Sequence, residues 1–335
     1  MSGVRYTNRP FFAKVQAVLI AAAVAAVSAG CGSREIVLPY DGNTTNSSFR
    51  FESNDAGNTA SSFAENLCIP EGDNLAGEEI SEGPEAYGAA AFFDIKNKKP
   101  LYSRNVYTRM YPASLTKVMT ALVAIENCDM DKVLRADESC VVNDADATKI
   151  GLKAGDSMTL DQALHMLLIY SANDVANLIA VNVGGSIDGF ARLMNERAAK
   201  LGATNTHFVN PNGLHDDNHY TTPYDMYLIF NEAVKYGKFI EIISMSEYST
   251  EYKDMNGDPV DYSCITTNRY LKGQMEAPRK ATVTGGKTGT TMLAGSNLII
   301  LAKDSSGNSY ISIVMRAQNA DIMYEKTNRM LELLT

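Results

Sequence analysis

Pro112-Ala113-Ser114-Leu115-Thr116-Lys117-Val118-Met119-Thr120-Ala121-Leu122-Val123 is the stretch on which the reading of this chain turns. Pro112 suits the first turn of a helix, because its fixed φ is already helical and its missing N–H is not needed there. Val118, Met119, Leu122, Val123 and Ile125 then recur at helical spacing. Residues three apart on a helix are neighbours on one face, so Ser114 is expected beside Lys117. A serine hydroxyl is a weak nucleophile until an adjacent base takes its proton. A lysine serves as that base where burial and neighbouring positive charge lower its pKa. The helix N-terminus also favours negative charge developing at Ser114. About one Ser-x-x-Lys arises by chance in a chain of this length and composition. The plain alternative is therefore an idle Ser and a solvated Lys. The apolar residues on both sides argue against a solvated face.

Two further segments supply partners. Ser171-Ala172-Asn173 falls at a break between apolar helical stretches, where Ser171 could relay a proton and Asn173 could hold a carbonyl or orient Lys117. Taken alone it reads equally as a helix cap. Gly285-Gly286-Lys287-Thr288-Gly289-Thr290-Thr291 joins glycines that permit close backbone approach to a cation and a hydroxyl suited to a carboxylate. It is not a phosphate loop, since Ala281 stands where the first glycine of that motif belongs.

Outward from these motifs, the chain has 335 residues, 45% of them hydrophobic, enough for a sizeable core. A net charge of −9 argues against nucleic-acid binding, which needs a basic surface. The four histidines show no metal-ligand spacing; His215 and His219 are four apart, but Pro211 and Gly213 stand close before them and break a helix there. No metal or cofactor is expected. Arg5, Arg9 and Lys14 precede an apolar run over 15–29, which is short for a membrane span and suits a signal peptide. That run ends Ser28-Ala29-Gly30-Cys31, similar to a bacterial lipobox with Cys31 as the lipidated mature N-terminus. Ordinary signal cleavage with an incidental Cys31 is the alternative. Residues 31–84 are polar and without apolar periodicity, and are expected to form a flexible acidic linker. The remaining cysteines permit two bridges, with Cys128–Cys140 the first expected pair; buried free thiols are the alternative. Strands are expected at 89–95 and 101–102, and helices from Pro112, over 160–170 and 173–183, from Ser186 to Gly202 and from Thr222 to Gly237. A hairpin over 297–302 and 310–316 and a closing helix over 321–334 complete an α+β pattern, an antiparallel sheet with helices on its faces.

The three motifs in this order resemble serine β-lactamases and penicillin-binding proteins. From about residue 85 to 335 the chain is similar to the low-molecular-mass serine D-alanyl-D-alanine carboxypeptidases. Pro112 to Lys117 resembles that family's nucleophile block, and Tyr170-Ser171-Ala172-Asn173-Asp174 its second block. Asn205-Thr206-His207-Phe208, Asn210-Pro211-Asn212-Gly213-Leu214 and His219-Tyr220-Thr221-Thr222 also fit. The resemblance implies the β-lactamase/penicillin-binding (transpeptidase-like) fold with an additional all-helical subdomain. It implies Ser114 as nucleophile, Lys117 as base, and Ser171 and Asn173 as assisting groups. Lys287, Thr288, Gly289 and Thr290 are implied to bind substrate, with the N–H groups of Ser114 and Thr290 as oxyanion hole. The implied substrate is the peptidoglycan stem peptide, the implied inhibitors are β-lactams, and the implied place is the outer face of the bacterial cytoplasmic membrane, held by the Cys31 lipid. A monomer is the expected state. Arg269 follows Asn268, where some relatives place an Arg before the Asn, which puts a carboxylate-binding role for Arg269 in doubt. Thr290 stands where many relatives have an aromatic residue or His.

Two rivals differ in sequence. A class A β-lactamase uses a Glu, followed three residues later by Asn, beyond the second motif; residues 204–213 hold no Glu, and Ala172 replaces that class's Asp. A wall-binding module without chemistry would not need all the reacting side chains. Endopeptidase and transpeptidase variants share every motif.

Overall fold

Strand β1 (Ala89–Asp94) is buried along its whole length, and the fold covers it on both faces. In the computed structural model, which describes residues 65–75 and 87–334, Ala90 and Phe92 join one core and Ala89, Ala91 and Phe93 the other, as the period-2 alternation of a strand requires. β1 pairs with β2 (Lys99–Arg104) and with the last strand of the sheet. The small second sheet consists of β3 (Val133–Arg135), β4 (Ser157–Thr159), β5 (Glu247–Lys253) and β6 (Pro259–Ile265). The main sheet is completed by β7 (Ala281–Thr291), β8 (Gly295–Asp304) and β9 (Ser309–Ala317). Its order is β2-β1-β9-β8-β7, with every neighbouring pair antiparallel, so β7 is an edge strand. Asp304 turns the β8–β9 hairpin by accepting from the backbone N–H groups of Ser306 and Asn308.

Helix α1 (Thr116–Asn127) lies in the larger core and has nine buried residues, Lys117 among them. Around it in that core pack α2 (Leu160–His165), α3 (Asn173–Gly184), α4 (Ile187–Lys200), α5 (Pro223–Ala233) and α6 (Gly237–Ile243). Ser186 caps α4 and Thr222 caps α5, each accepting from the N–H three residues on. The final helix α7 (Ala320–Leu331) covers the other face of the main sheet through Met323, Tyr324, Met330 and Leu331.

Several expectations need correction. Ser114 lies in a 3₁₀ turn (Ala113–Leu115), with the α-helix beginning at Thr116. The helix over 160–170 changes to a π-helix over Met166–Tyr170, which ends at Ser171 in the left-handed conformation. Gly237 starts α6 rather than ending α5. Residues 65–75, expected in the linker, pack on the body. The Cys68 N–H donates to Tyr227 Oη at 3.0 Å, Tyr107 Oη donates to the Pro70 carbonyl at 2.6 Å, and Asn74 exchanges backbone hydrogen bonds with Ser103 on the edge strand β2. Cys128 and Cys140 do not form the expected bridge; they and Cys68 and Cys264 are free thiols. Cys128 ends α1, whereas Cys140 closes a 3₁₀ turn (Glu138–Cys140) with Sγ 3.6 Å from Asp137 Oδ1; β3 intervenes, so closeness in sequence is not closeness in space. Burial pushes the Cys140 thiol up to about 11. The leader 1–30, Cys31 and the remainder of the linker lie outside the described residues.

Candidate active site

Three segments distant in sequence meet at one end of α1. Ser114 is delivered by the 3₁₀ turn, whose first residue, Ala113, has φ +48. Ser171, with φ +73, and Asn173 come from the break between the π-helix and α3, and Lys287 from the edge strand β7. Non-glycine residues in the left-handed region cost of order 1–3 kcal/mol and persist where the surroundings overdetermine them. Two of the five such residues described stand within this constellation.

Lys117 is fully buried. Its Nζ lies 2.8 Å from Ser114 Oγ, 2.8 Å from Asn173 Oδ1 and 2.6 Å from the Asn212 carbonyl oxygen. Burial above all, then the cation of Lys287, holds its ammonium well below the ordinary lysine range, while Asp174 works in the opposite direction. Lys287 is itself buried and pushed down to about 7 by desolvation; its Nζ donates to Ser171 Oγ at 2.9 Å and to the Thr288 carbonyl at 2.8 Å. The Asn173 amide is oriented from behind, since Nδ2 donates to the Thr148 carbonyl at 3.0 Å. Asp174 accepts from the backbone N–H groups of Ile150, Gly151, Leu152 and Val175, which holds the 148–152 loop over the second motif.

Ser114, Ser171, Thr288, Gly289 and Thr290 line a cleft of about 260 Å³. Gly289 makes the approach of β7 possible: a Cβ there would stand 2.8 Å from the Ser114 nitrogen and 2.9 Å from that of Leu115. All eight expected catalytic and substrate-binding residues belong to these three segments. The cleft also takes in Thr148, Thr267, Arg269 and Tyr324, which the sequence analysis does not place in the site. Thr267 Oγ1 lies 2.6 Å from Thr288 Oγ1, and Arg269 reaches the rim with its guanidinium paired to Asp321. Arg269 thus lies at the cleft although it follows Asn268. Its sequence signal is the Thr267-Asn268-Arg269 segment itself, but only folding brings it beside Thr288.

The segment 205–222 braces the turn that carries Ser114. Besides the Asn212 carbonyl on Lys117, the Pro211 carbonyl accepts from Thr120 Oγ1 at 2.6 Å. His219 is buried; the Val209 N–H donates to its Nδ1, so Nε2 carries the proton toward Thr116 Oγ1 at 2.8 Å. Desolvation lowers His219 to about 4 and keeps it neutral. Among the described residues no group of three His, Cys, Asp or Glu could hold a metal, and no helix is long and apolar enough to cross a membrane.

The fold is that of the penicillin-binding serine peptidases. The Streptomyces K15 DD-transpeptidase superposes with a TM-score of 0.68 at 24% identity, over 76% of this chain and 98% of that one. A D-alanyl-D-alanine carboxypeptidase of Mycobacterium tuberculosis superposes with a TM-score of 0.66 at 26% identity, over 78% and 95%. The family pattern for D-alanyl-D-alanine carboxypeptidases matches residues 81–319, and this chain belongs to that family. It is 30% identical over 261 residues to the carboxypeptidase DacF of Bacillus subtilis, covering 76% of this chain and 64% of that protein. Against DacB2 of Mycobacterium tuberculosis the identity is 32% over 222 residues, 66% and 71% of the two chains. The chain thus spans less than two thirds of the length of the Bacillus relative.

Proposed function

We propose that this protein is a serine D-alanyl-D-alanine carboxypeptidase that removes the terminal D-alanine of peptidoglycan stem peptides through an acyl-enzyme on Ser114. The observation that carries the reading is the hydrogen-bond set of Lys117. Asn173 Oδ1 and the Asn212 carbonyl are acceptors only, so a neutral Lys117 turns its two N–H groups to them. The nitrogen lone pair is then left for the Ser114 hydroxyl at 2.8 Å, the arrangement a general base needs.

Attack of Ser114 Oγ on the penultimate carbonyl passes its proton to Lys117. The developing oxyanion lies toward the N–H groups of Ser114 and Thr290, where each donor is worth about 100- to 1,000-fold. Collapse expels the D-alanine nitrogen, which takes a proton relayed by Ser171. The leaving residue's carboxylate sits against Lys287, Thr288, Thr267 and Arg269. Water then resolves the ester with Lys117 again as base. No carboxylate among the described residues is hydrogen-bonded to Ser114 or Lys117, and Asp174 is occupied by backbone donors. Deacylation of penicillins is therefore slow, and β-lactams inhibit.

Cell-wall substrate places the domain outside the cytoplasm. The leader 1–30 and Cys31 support export and a lipid anchor, with a tether up to the packed segment at 65–75 and the catalytic domain over 85–335. Cys31→Ala then releases the protein from membranes on fractionation; retention would remove the lipid from the scheme. The activity is tested by D-alanine release from a pentapeptide ending D-Ala-D-Ala, with Ser114→Ala as control. Release by the wild type alone is expected. Release by both, or by neither, ends the assignment.

A further inference from the structure

A second recess of about 530 Å³ is lined by the same two segments as the cleft, three residues before Ser114 on one and three residues after Thr290 on the other. Where the cleft has Ser114 and Thr290, this recess has Tyr111 and Leu293, joined by Arg109, Asp217, Tyr220 and Arg316. Among the described residues neither Arg109 nor Arg316 is in an ion pair. Arg109 stacks over the Tyr220 ring at 4.5 Å and gives one hydrogen bond, to Asn205 Oδ1 at 3.2 Å. Arg316 is exposed and holds φ +57, a conformation that glycine or asparagine adopts with less strain. That strain is held in place by the fully buried Asn297. Its Oδ1 accepts from the Arg316 N–H at 2.7 Å, and its Nδ2 reaches the carbonyls of Tyr111 and Pro112 at 3.4 Å. The same side chain therefore ties Arg316 to the nucleophile turn. Strained residues overdetermined by their surroundings are a reason to look for function.

The sign of the recess follows from its charges. Arg109 and Arg316 line the recess with one carboxylate, Asp217, which is 88% exposed and already accepts from Tyr111 Oη at 3.3 Å; Asp225, which also feels the charge of Arg109, is buried behind it and already accepts from the Asn205 N–H and Thr206 Oγ1. An exposed, occupied carboxylate is screened by water and weak. Unpaired guanidinium groups seek a carboxylate, which they bind with two parallel hydrogen bonds. Its position follows from the proposed function, on which this inference rests. With the leaving carboxylate at Lys287 and Thr288 and the scissile carbonyl level with Thr290, upstream residues of the substrate run toward Leu293. Leu293 lies in the turn just past the end of β7 at Thr291, so it is no farther from Thr290 than three extended residues, about 10 Å, and one further peptide residue plus its side chain covers that distance.

We propose that this recess is the subsite for the stem-peptide residue next upstream of the two D-alanines, and that Arg109 and Arg316 select a side chain ending in a free carboxylate. The test compares three pentapeptides that differ only at that residue: meso-diaminopimelate, the same residue with its side-chain carboxylate amidated, and L-lysine. D-alanine release is measured for each, and so is the concentration that halves the rate of Ser114 acylation by a fluorescent penicillin; the second readout does not depend on turnover. The free-carboxylate peptide is expected to be preferred about tenfold over both others in each readout, the worth of one partly exposed charge-assisted hydrogen bond. The preference shrinks as salt is raised. In Arg109→Gln and Arg316→Gln the ratio between free and amidated peptides falls toward one. Equal treatment of the three peptides by the wild type, preference for lysine, or a ratio unchanged in both variants overturns the proposal; the wild-type ratio decides even where a variant does not fold. A tenfold ranking in competition without any D-alanine release keeps the subsite and removes the carboxypeptidase reading. Neither labelling nor release removes both.

Discussion

Lys117 and Lys287 are both buried, and the cation of Lys287 acts on the charge of Lys117. Lys287 is the second cause, after burial, of the low Lys117 pKa. As pH falls through that lowered value Lys117 gains a proton and can no longer accept one from Ser114, so acylation has an acid limb. Replacing Lys287 by Gln removes the neighbouring cation and raises the Lys117 pKa. The acid limb of penicillin acylation therefore moves to higher pH in Lys287→Gln, whatever happens to the maximal rate. A limb at unchanged pH would show that another group controls it. Asn173→Ala leaves Lys117 with one fixed acceptor fewer, and acylation is expected to fall about 10- to 100-fold, of the order seen for a misplaced catalytic group. Stopped-flow labelling checks both.

At the scale of elements, β7 and the 205–222 segment clasp the turn that carries Ser114 from two sides. Gly289→Ala sets a methyl group against the Ser114 and Leu115 nitrogens, which pushes the strand away and displaces the proposed oxyanion donors. Acylation by penicillin should fall by at least about 100-fold, the worth of one such donor, with circular dichroism unchanged. On the opposite side His219 is buried and neutral, with its pKa lowered from 6.5 to about 4. The unfolded chain binds a proton near 6.5 and the folded chain does not, so stability rises with pH through this window. The full contribution is present above about 6.5 and is lost progressively down to about 4. Between pH 7 and pH 5 the loss from this group is about 2 kcal/mol. Urea unfolding at the two pH values should show a smaller difference in His219→Gln than in the wild type.

For the whole molecule, the segment 65–75 is part of the domain rather than of a tether. It contributes the fully buried Cys68, the acceptor for Tyr107 Oη and a backbone bridge that covers edge strand β2. A chain starting at residue 80 should melt several degrees below one starting at residue 62, since losing one to two kcal/mol shifts a domain of this size by about 2–4 °C per kcal/mol. Equal melting temperatures would show that the contacts add nothing.

The local pattern was sufficient for the central helix, the β8–β9 hairpin, the closing helix and the three segments that meet in the cleft, because periodicity, caps and turn residues act over a few residues. The fold class followed from them. The small sheet was not legible. β5 and β6 are mostly exposed on one face and alternate without a strong apolar signal, and β3 and β4 have three residues each, so their pairing is decided by what they pack against. The π-helix that delivers Ser171, the place of Arg269, the brace from Asn212 and His219, and the free state of Cys128 and Cys140 share that character. Each depends on which distant backbone comes within hydrogen-bond reach. By itself the sequence singled out Ser114, Lys117 and Lys287 as the residues to which the proposed chemistry is assigned. Only the tertiary structure decided how they are charged, because a lysine's pKa is set by the water it loses and the groups that replace it, and those come from segments far along the chain.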